Sequence, residues 1–264
     1  MANDQTYQFI RLEIDNNVAW LTLARADKHN AFNEHVISEI TDALKRVQDI
    51  DNIRALVLQA EGKSFSAGAD LDWMKRMAAY DFEQNVEDAN GLATMLNTLY
   101  RLPIPTIAKV QGSAFGGGIG LVACCDIALA SSTAKFCLSE VKLGLIPATI
   151  SPYVIAAVGE KIARRLFISA EVFNPSQALQ WNLLTEVTAP EELDGAVTRW
   201  LEVFAANSTA AMIAAKQLAH DVAGQSIDPT LLDHTSRAIA SARTSPQGRE
   251  GVAAFLEKRK PSWE

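Results

Sequence analysis

Cysteine is scarce in this chain: three residues, Cys124, Cys125 and Cys137, among 264. An odd count with two neighbours implies no disulfide framework, and free thiols in apolar stretches suit a reducing compartment. Histidine is nearly as rare, and the four residues at 29, 35, 220 and 234 make no ligand spacing with the cysteines. No metal site is therefore expected. Positive charge is in deficit: 24 Lys and Arg stand against 31 Asp and Glu, a net charge of −7. A nucleic-acid surface usually shows as a basic stripe, and the densest basic run here is only Lys258-Arg259-Lys260. No run of 18 or more apolar residues occurs, so no membrane-spanning helix is expected. The stretch MANDQTYQFIRLEID lacks the basic region and apolar core of a leader, and a cytoplasmic protein is expected. Glycine and proline, at 14 and 9 residues, are too few for a collagen-like or low-complexity chain.

What is present is an ordinary globular composition, 48% hydrophobic and 21% charged. A chain of this size buries about 70–75% of its unfolded surface and needs no staples. Phe9–Ile14 and Val18–Leu23 alternate around Asp15-Asn16-Asn17, which predicts a hairpin. Asn33 then precedes Val36, Ile37, Ile40, Ala43, Leu44 and Val47 at helical spacing. Ile53–Leu58 reads as a buried strand. The order strand, small-residue loop, helix recurs through Thr106–Val110, Asp126–Ala130 and Ala134–Leu138. From Pro190 the pattern is helical only, with Ser208, Asp228-Pro229 and Ser245-Pro246 as helix starts. These features predict an α/β fold: a spiral of β-β-α turns over residues 1–190 and a helical region over 191–264.

Two loops carry the chemistry. Ser64-Phe65-Ser66-Ala67-Gly68-Ala69-Asp70-Leu71 and Gly112-Ser113-Ala114-Phe115-Gly116-Gly117-Gly118-Ile119-Gly120 each join a strand to a helix. Small residues let backbone N–H groups approach a ligand, and helix N-termini add unpaired donors. Two such groups converging on one oxygen form an oxyanion hole. Taken singly, either loop also fits an ordinary turn or a packing contact. The second is neither a dinucleotide fingerprint, since Leu121 follows Gly116 and Gly118, nor a Walker loop, since no Gly-Lys-Ser/Thr follows.

Together the loops resemble the crotonase superfamily of enoyl-CoA hydratases and isomerases. The turn Arg25–Asn33, the two loops with Cys125-Asp126-Ile127, the segment Phe136–Leu145 and the tail Phe255–Pro261 match that family in order, over nearly the whole chain. The resemblance implies a crotonase-type spiral, a C-terminal region used in trimerisation, and a homotrimer or dimer of trimers. It implies an acyl-CoA thioester as substrate, with coenzyme A entering only as the substrate's handle and no separate cofactor. Ala69 and Gly117 would hold the thioester oxygen through their N–H groups, and Glu140 would be the acid–base residue. Ala67, Asp70, Leu71 and Gly116 would lie along the loops that bind substrate, Lys28 and Ala31 near the nucleotide, and Phe255 and Lys258 at tail positions that touch coenzyme A. Asp126 reads as a structural hydrogen-bond acceptor.

Hydratases of the family typically carry a second glutamate three residues after the middle glycine of the triplet; here that position is Gly120. Glu140 is then the main candidate, and apolar neighbours would raise its pKa toward neutrality. SEVKLGLIPATISPYV with FGGGIGLVACCDIA looks like the bacterial methylglutaconyl-CoA and isohexenylglutaconyl-CoA hydratases. Ser151, Tyr153 and Lys142 would then receive the substrate's own carboxylate. Hydration of a plain short-chain enoyl-CoA, double-bond isomerisation, another crotonase reaction such as thioester hydrolysis, and non-catalytic acyl-CoA binding remain alternatives.

Overall fold

A computed structural model describes residues 7–263; the first residues of the N-terminal stretch read above for a leader lie outside them. The chain divides into two compact units, one built from residues up to 102 with 106–197 and the other from 103–105 with 198–264.

The first unit opens with the hairpin of β1 (Ile10–Asp15) and β2 (Val18–Leu23). Asn16 and Asn17 form its two-residue turn at φ 48° and 63°, the left-handed backbone that twisted hairpins need and asparagine tolerates. α1 (Glu34–Asp49) starts at Asn33, whose Oδ1 accepts the Val36 N–H at 2.9 Å. The stripe from Val36 to Val47 is buried, as its spacing predicts.

Three strand–strand–helix turns follow. The first is β3 (Ala55–Ala60), β4 (Ser64–Ser66), then α2 (Leu71–Met77) and α3 (Phe82–Tyr100). The second is β5 (Thr106–Val110), β6 (Ser113–Phe115) and α4 (Gly117–Cys124). The third is β7 (Ile127–Ser131), β8 (Phe136–Cys137) and α5 (Ser151–Ser169), which Gly159 breaks at φ 76°. α6 (Pro175–Gln180) and β9 (Glu186–Thr188) close the unit, whose boundary falls inside α7 (Leu193–Ala206). The longer strand of each turn joins a six-stranded sheet of order β1-β2-β3-β5-β7-β9, parallel beyond the hairpin. The short strands form a second, parallel sheet, β4-β6-β8. The sequence marks β4 and β6 only as parts of loops, because two or three residues are too few to show alternation.

Leu56, Leu58, Ile107, Ile119 and Leu121 are fully buried between sheet and helices. Asp126 has the expected structural role: its Oδ2 accepts the Thr106 N–H at 2.8 Å and hydroxyl at 2.9 Å, pinning the start of β5 beside β7.

The second unit is helical: α8 (Thr209–Val222), α9 (Pro229–Thr244) and α10 (Pro246–Leu256). Ser208, Asp228 and Ser245 cap them, with Pro229 and Pro246 at first helical positions. Beyond α10, Arg259 pairs with Glu250 at 2.7 Å and folds the tail back. Among the described residues no helix is long and apolar enough to cross a membrane, and no three His, Cys, Asp or Glu side chains gather as a metal cluster. No disulfide joins the three cysteines.

Candidate active site

β4 and β6 are neighbours in the small sheet, so the loops that follow them leave side by side. Both turn at a glycine in the left-handed region, Gly68 at φ 89° and Gly116 at φ 49°. A Cβ on Gly68 would lie 3.3 Å from the Phe115 carbonyl oxygen and 4.0 Å from Gly116 Cα. The two backbones therefore touch, with no side chain between them.

In the first loop, Ala67 N–H donates to His29 O at 3.0 Å, Gly68 N–H to Ser66 Oγ at 3.3 Å, and Asp70 N–H to Phe32 O at 2.8 Å. In the second, Gly116 N–H donates to Cys137 O at 3.0 Å. The N–H groups of Ala69 and of Gly117, the first residue of α4, donate to nothing among the described residues. Each follows one of the two touching glycines. Two free donors on abutting loops, one backed by a helix N-terminus, suit an oxygen that gains negative charge.

Glu140 reaches this place from the third strand of the small sheet. β8 pairs with β6, Phe115 opposite Cys137, and Glu140 begins the 3-10 turn Glu140–Leu143 three residues later. Its Oε1 would stand 3.2 Å from a Cβ on Gly116. Its Oε2 is buried with no hydrogen-bond partner. Burial pushes the carboxyl above the usual glutamate range, only partly opposed by the residue's own N–H. Among the described residues Glu140 makes no ion pair with Lys135 or Lys142.

The family follows from comparison with known proteins. A family model for enoyl-CoA hydratase/isomerase matches residues 13–264. The chain belongs to the enoyl-CoA hydratase/isomerase family. A crystal structure of an enoyl-CoA hydratase from Shewanella pealeana superimposes with a TM-score of 0.95 at 46% identity, covering 98% of this chain and 97% of that one. A Legionella pneumophila structure carrying the enoyl-CoA hydratase/isomerase (crotonase) name gives 0.93 at 45% identity, over 98% and 100%. The crotonyl-CoA hydratase of Syntrophomonas wolfei is 31% identical over 259 residues, 97% of this chain and 98% of its own. The observed spiral of strand–strand–helix turns is thus the crotonase fold of that family.

Within that frame several expected site residues have other work. Asp70 is buried and its carboxylate is fully engaged. Oδ1 caps α2 by accepting the N–H groups of Asp72 at 2.7 Å and Trp73 at 3.2 Å. Oδ2 pairs with Arg25 at 2.8 Å, the two side chains being 16% and 6% exposed. Burial pushes its pKa up, but the two N–H donors and Arg25 outweigh burial and leave it below the usual carboxylate range. Asp70 positions the loop through its side chain. Ala31 is tied into the same turn: its methyl is buried, its N–H donates to Lys28 O, and its carbonyl accepts Arg25 Nη1 at 3.1 Å.

Ser151 and Tyr153 each have a neighbour of their own. Ser151 Oγ donates to Ala148 O at 2.8 Å in the first turn of α5. Tyr153 packs on Tyr100, ring centroids 5.1 Å apart, and within electrostatic reach of Cys124. Cys124 ends α4 while Gly117 begins it, and eight helical residues span about 10 Å. Ile150, which the sequence does not mark, packs against α4. A Cβ on Gly120 would overlap Ile150 Cγ2 and lie 3.1 Å from Ile150 Cβ and 3.3 Å from Leu96 Cδ2. α3, α4 and the start of α5 thus close over Gly120.

Ala67, Ala69, Lys28 and Leu71 are exposed, Leu71 by 73%. Lys142 is exposed, and it and Glu140 both act electrostatically on Cys137. Phe255 and Lys258 are exposed residues of the second unit, whereas all the others belong to the first. Sequence reasoning also missed Arg25 as an anchor. An arginine two residues past a largely buried strand, with one aspartate before a helix elsewhere, is the signal that could have paired them.

Proposed function

We propose that this chain is an enoyl-CoA hydratase acting on a branched, carboxylated enoyl-CoA of the methylglutaconyl type. The observation that carries the hydratase reading is the buried, unpartnered Oε2 of Glu140 beside two free N–H donors on abutting loops. The thioester oxygen sits between the N–H groups of Ala69 and Gly117. Attack of water oxygen on C3 sends charge onto that oxygen, where each fixed donor is worth about 3–4 kcal/mol. Glu140 handles the proton, and its raised pKa suits that task near neutrality. Lys142 supports a carboxylated substrate: an exposed cation two residues from Glu140, with no ion pair among the described residues.

Lys28, Ala67 and Leu71 supply the exposed edge for coenzyme A, with Gly116 at the thioester, and Phe255 and Lys258 are tail contacts. Coenzyme A is the substrate's handle and no other cofactor takes part. The exposed Ile227, Leu232, Ile239 and Val252 of the second unit support assembly into trimers or pairs of trimers. Isomerisation between 3- and 2-enoyl-CoA is a second reading, favoured by the closure over Gly120, which leaves one carboxylate at the site.

The deciding experiment follows loss of the conjugated enoyl-thioester absorbance with 3-methylglutaconyl-CoA, crotonyl-CoA in parallel. Fast loss with the carboxylated substrate and slow loss with crotonyl-CoA supports the reading, and Lys142→Ala then narrows the gap by raising KM for the carboxylated substrate alone. No loss with either, with conversion of a 3-enoyl-CoA, moves isomerisation ahead.

A further inference from the structure

The turn that precedes α1 touches both donor residues. Phe32 N–H donates to Gly68 O at 2.7 Å, and Phe32 O accepts the Asp70 N–H at 2.8 Å. These two bonds bracket Ala69, which pairs with Phe32 in a parallel bridge. The side chain of Phe32 faces the other loop. It is fully buried, and its Cε2 and Cδ2 lie 3.0 and 3.1 Å from where a Cβ on Gly117 would stand. One residue thus holds the Ala69 donor with its backbone and backs the Gly117 donor with its ring. Its mount is stiff on both sides. Before it, Ala31 O accepts Arg25 Nη1 at 3.1 Å, and Asn30 Nδ2 donates to Glu61 O and Ser64 O, each at 2.8 Å. After it, Asn33 caps α1 through the Val36 N–H at 2.9 Å.

We infer that Phe32 is a positioning residue for the two donors: the width of its ring sets the separation between the Ala69 and Gly117 N–H groups. This rests on the reading that those groups hold a thioester oxygen, and not on which reaction follows. Gly117 opens α4, so its N–H moves with the first turn of that helix. A narrower side chain at position 32 lets that turn settle toward the first loop. Added volume on Gly117 presses on the ring and spreads the loops. Either change turns a donor away from the place where the charged oxygen forms, and a hydrogen bond weakens steeply as its angle closes. The loss falls on kcat, because the donors gain most where charge develops.

The test reads the donors directly. Butyryl-CoA labelled with carbon-13 at C1 is saturated and cannot be hydrated. Isotope-edited infrared spectra should place its carbonyl stretch lower on wild-type protein than free in water. Phe32→Leu, its fold checked by circular dichroism, loses most of that shift at saturating butyryl-CoA. Its kcat on the best enoyl-CoA falls about 10- to 100-fold with KM within about threefold. Phe32→Met, closer in length to the ring, recovers part of both and serves as the second variant should Phe32→Leu not fold. Phe173→Leu is the control for stability. It truncates another fully buried ring, one that stacks on Phe136 and Trp181, and it lowers Tm while keeping the shift. Gly117→Ala alone loses the shift, and combined with Phe32→Leu it costs less in kcat than the product of the two single losses. A full shift in the Phe32 variants, a lost shift in Phe173→Leu, or simply multiplying losses in the double variant overturns the inference. An unshifted carbonyl on wild-type protein sinks the reading of the two N–H groups, and the inference with it.

Discussion

The two loops present the same group, a free backbone N–H, and hold it in opposite ways. The loop after β4 is laced by polar contacts. Ala67 and Asp70 donate to the 29–32 turn, Phe32 N–H returns to Gly68 O at 2.7 Å, and Arg25 clamps Asp70. The segment from Gly112 through β6 into α4 is held by the lack of side chains. Gly112, Gly117, Gly118 and Gly120 each stand where a Cβ would press on backbone or on a packed side chain. One donor is thus placed by charge and hydrogen bonds, the other by close packing. The first should respond to pH and charge, the second to added volume.

The sharpest way to break the packed loop is Gly112→Ala. The new methyl would be driven into the Lys63 carbonyl group, which is backbone and cannot rotate aside. Overpacking ordinarily costs about 1–3 kcal/mol and more when backbone must move, so a loss above about 3 kcal/mol is expected in urea denaturation. A loss below 1 kcal/mol on that same scale would mean that the loop has slack and that packing does not set Gly117.

The laced loop breaks at its charge. Arg25→Met leaves the buried Asp70 carboxylate without its cation, and removing one partner of such a pair costs about 3–5 kcal/mol. The lower end is expected, since Asp72 and Trp73 N–H groups still serve Asp70. The sign with pH follows from the lowered pKa. Asp70 stabilises the fold above its unfolded value, about 3.9, and that stability is lost as pH falls through the lower folded value. Arg25→Met raises the folded value, so acid unfolding should begin at higher pH than in the wild type. An unchanged acid midpoint would show that the pair does not tie the loop.

These contrasts also explain what was legible beforehand. The α1 stripe, the Asn16-Asn17 turn and the helix starts at Ser208, Asp228 and Ser245 are local, and local spacing reveals them. Glu140 and the two loops were legible through their motifs, though not their contact, because Gly68 and Gly116 are 48 residues apart in sequence and meet only through the small sheet. β4 and β6 were missed because three-residue strands carry no period. The surroundings of Ser151 and Tyr153 were illegible for a related reason. Their distance from Gly117 depends on how α5 crosses α4, which Ile150 against Gly120 decides and no local pattern encodes.

Ser66 couples the two regimes. Its buried hydroxyl donates to Asn30 O at 2.9 Å and accepts Gly68 N–H at 3.3 Å, while its Cβ fills the space behind Gly118. Ser66→Ala keeps the packing and removes the hydrogen bonds, and an unsatisfied buried group costs about 1–3 kcal/mol. A loss of about 1–2 kcal/mol is expected, with kcat changed less than stability. A kcat loss exceeding the stability loss would mean that the polar lacing, and not the glycine packing, sets both donors.

The smallest effect tests what the first loop offers to substrate. The Ala69 methyl is exposed, and the backbone is held on both sides by the Phe32 bridge to Gly68 O and Asp70 N–H. Ala69→Gly leaves the N–H in place. It adds backbone freedom worth about 0.5–1 kcal/mol in the unfolded chain, so Tm should fall slightly. Because the lacing fixes the donor, kcat should stay within about twofold, as the oxyanion contribution resides in the N–H. A tenfold loss at unchanged KM would mean that the methyl itself holds the donor or touches the acyl group. The laced loop would then work by packing as the glycine loop does, and the difference between them would disappear.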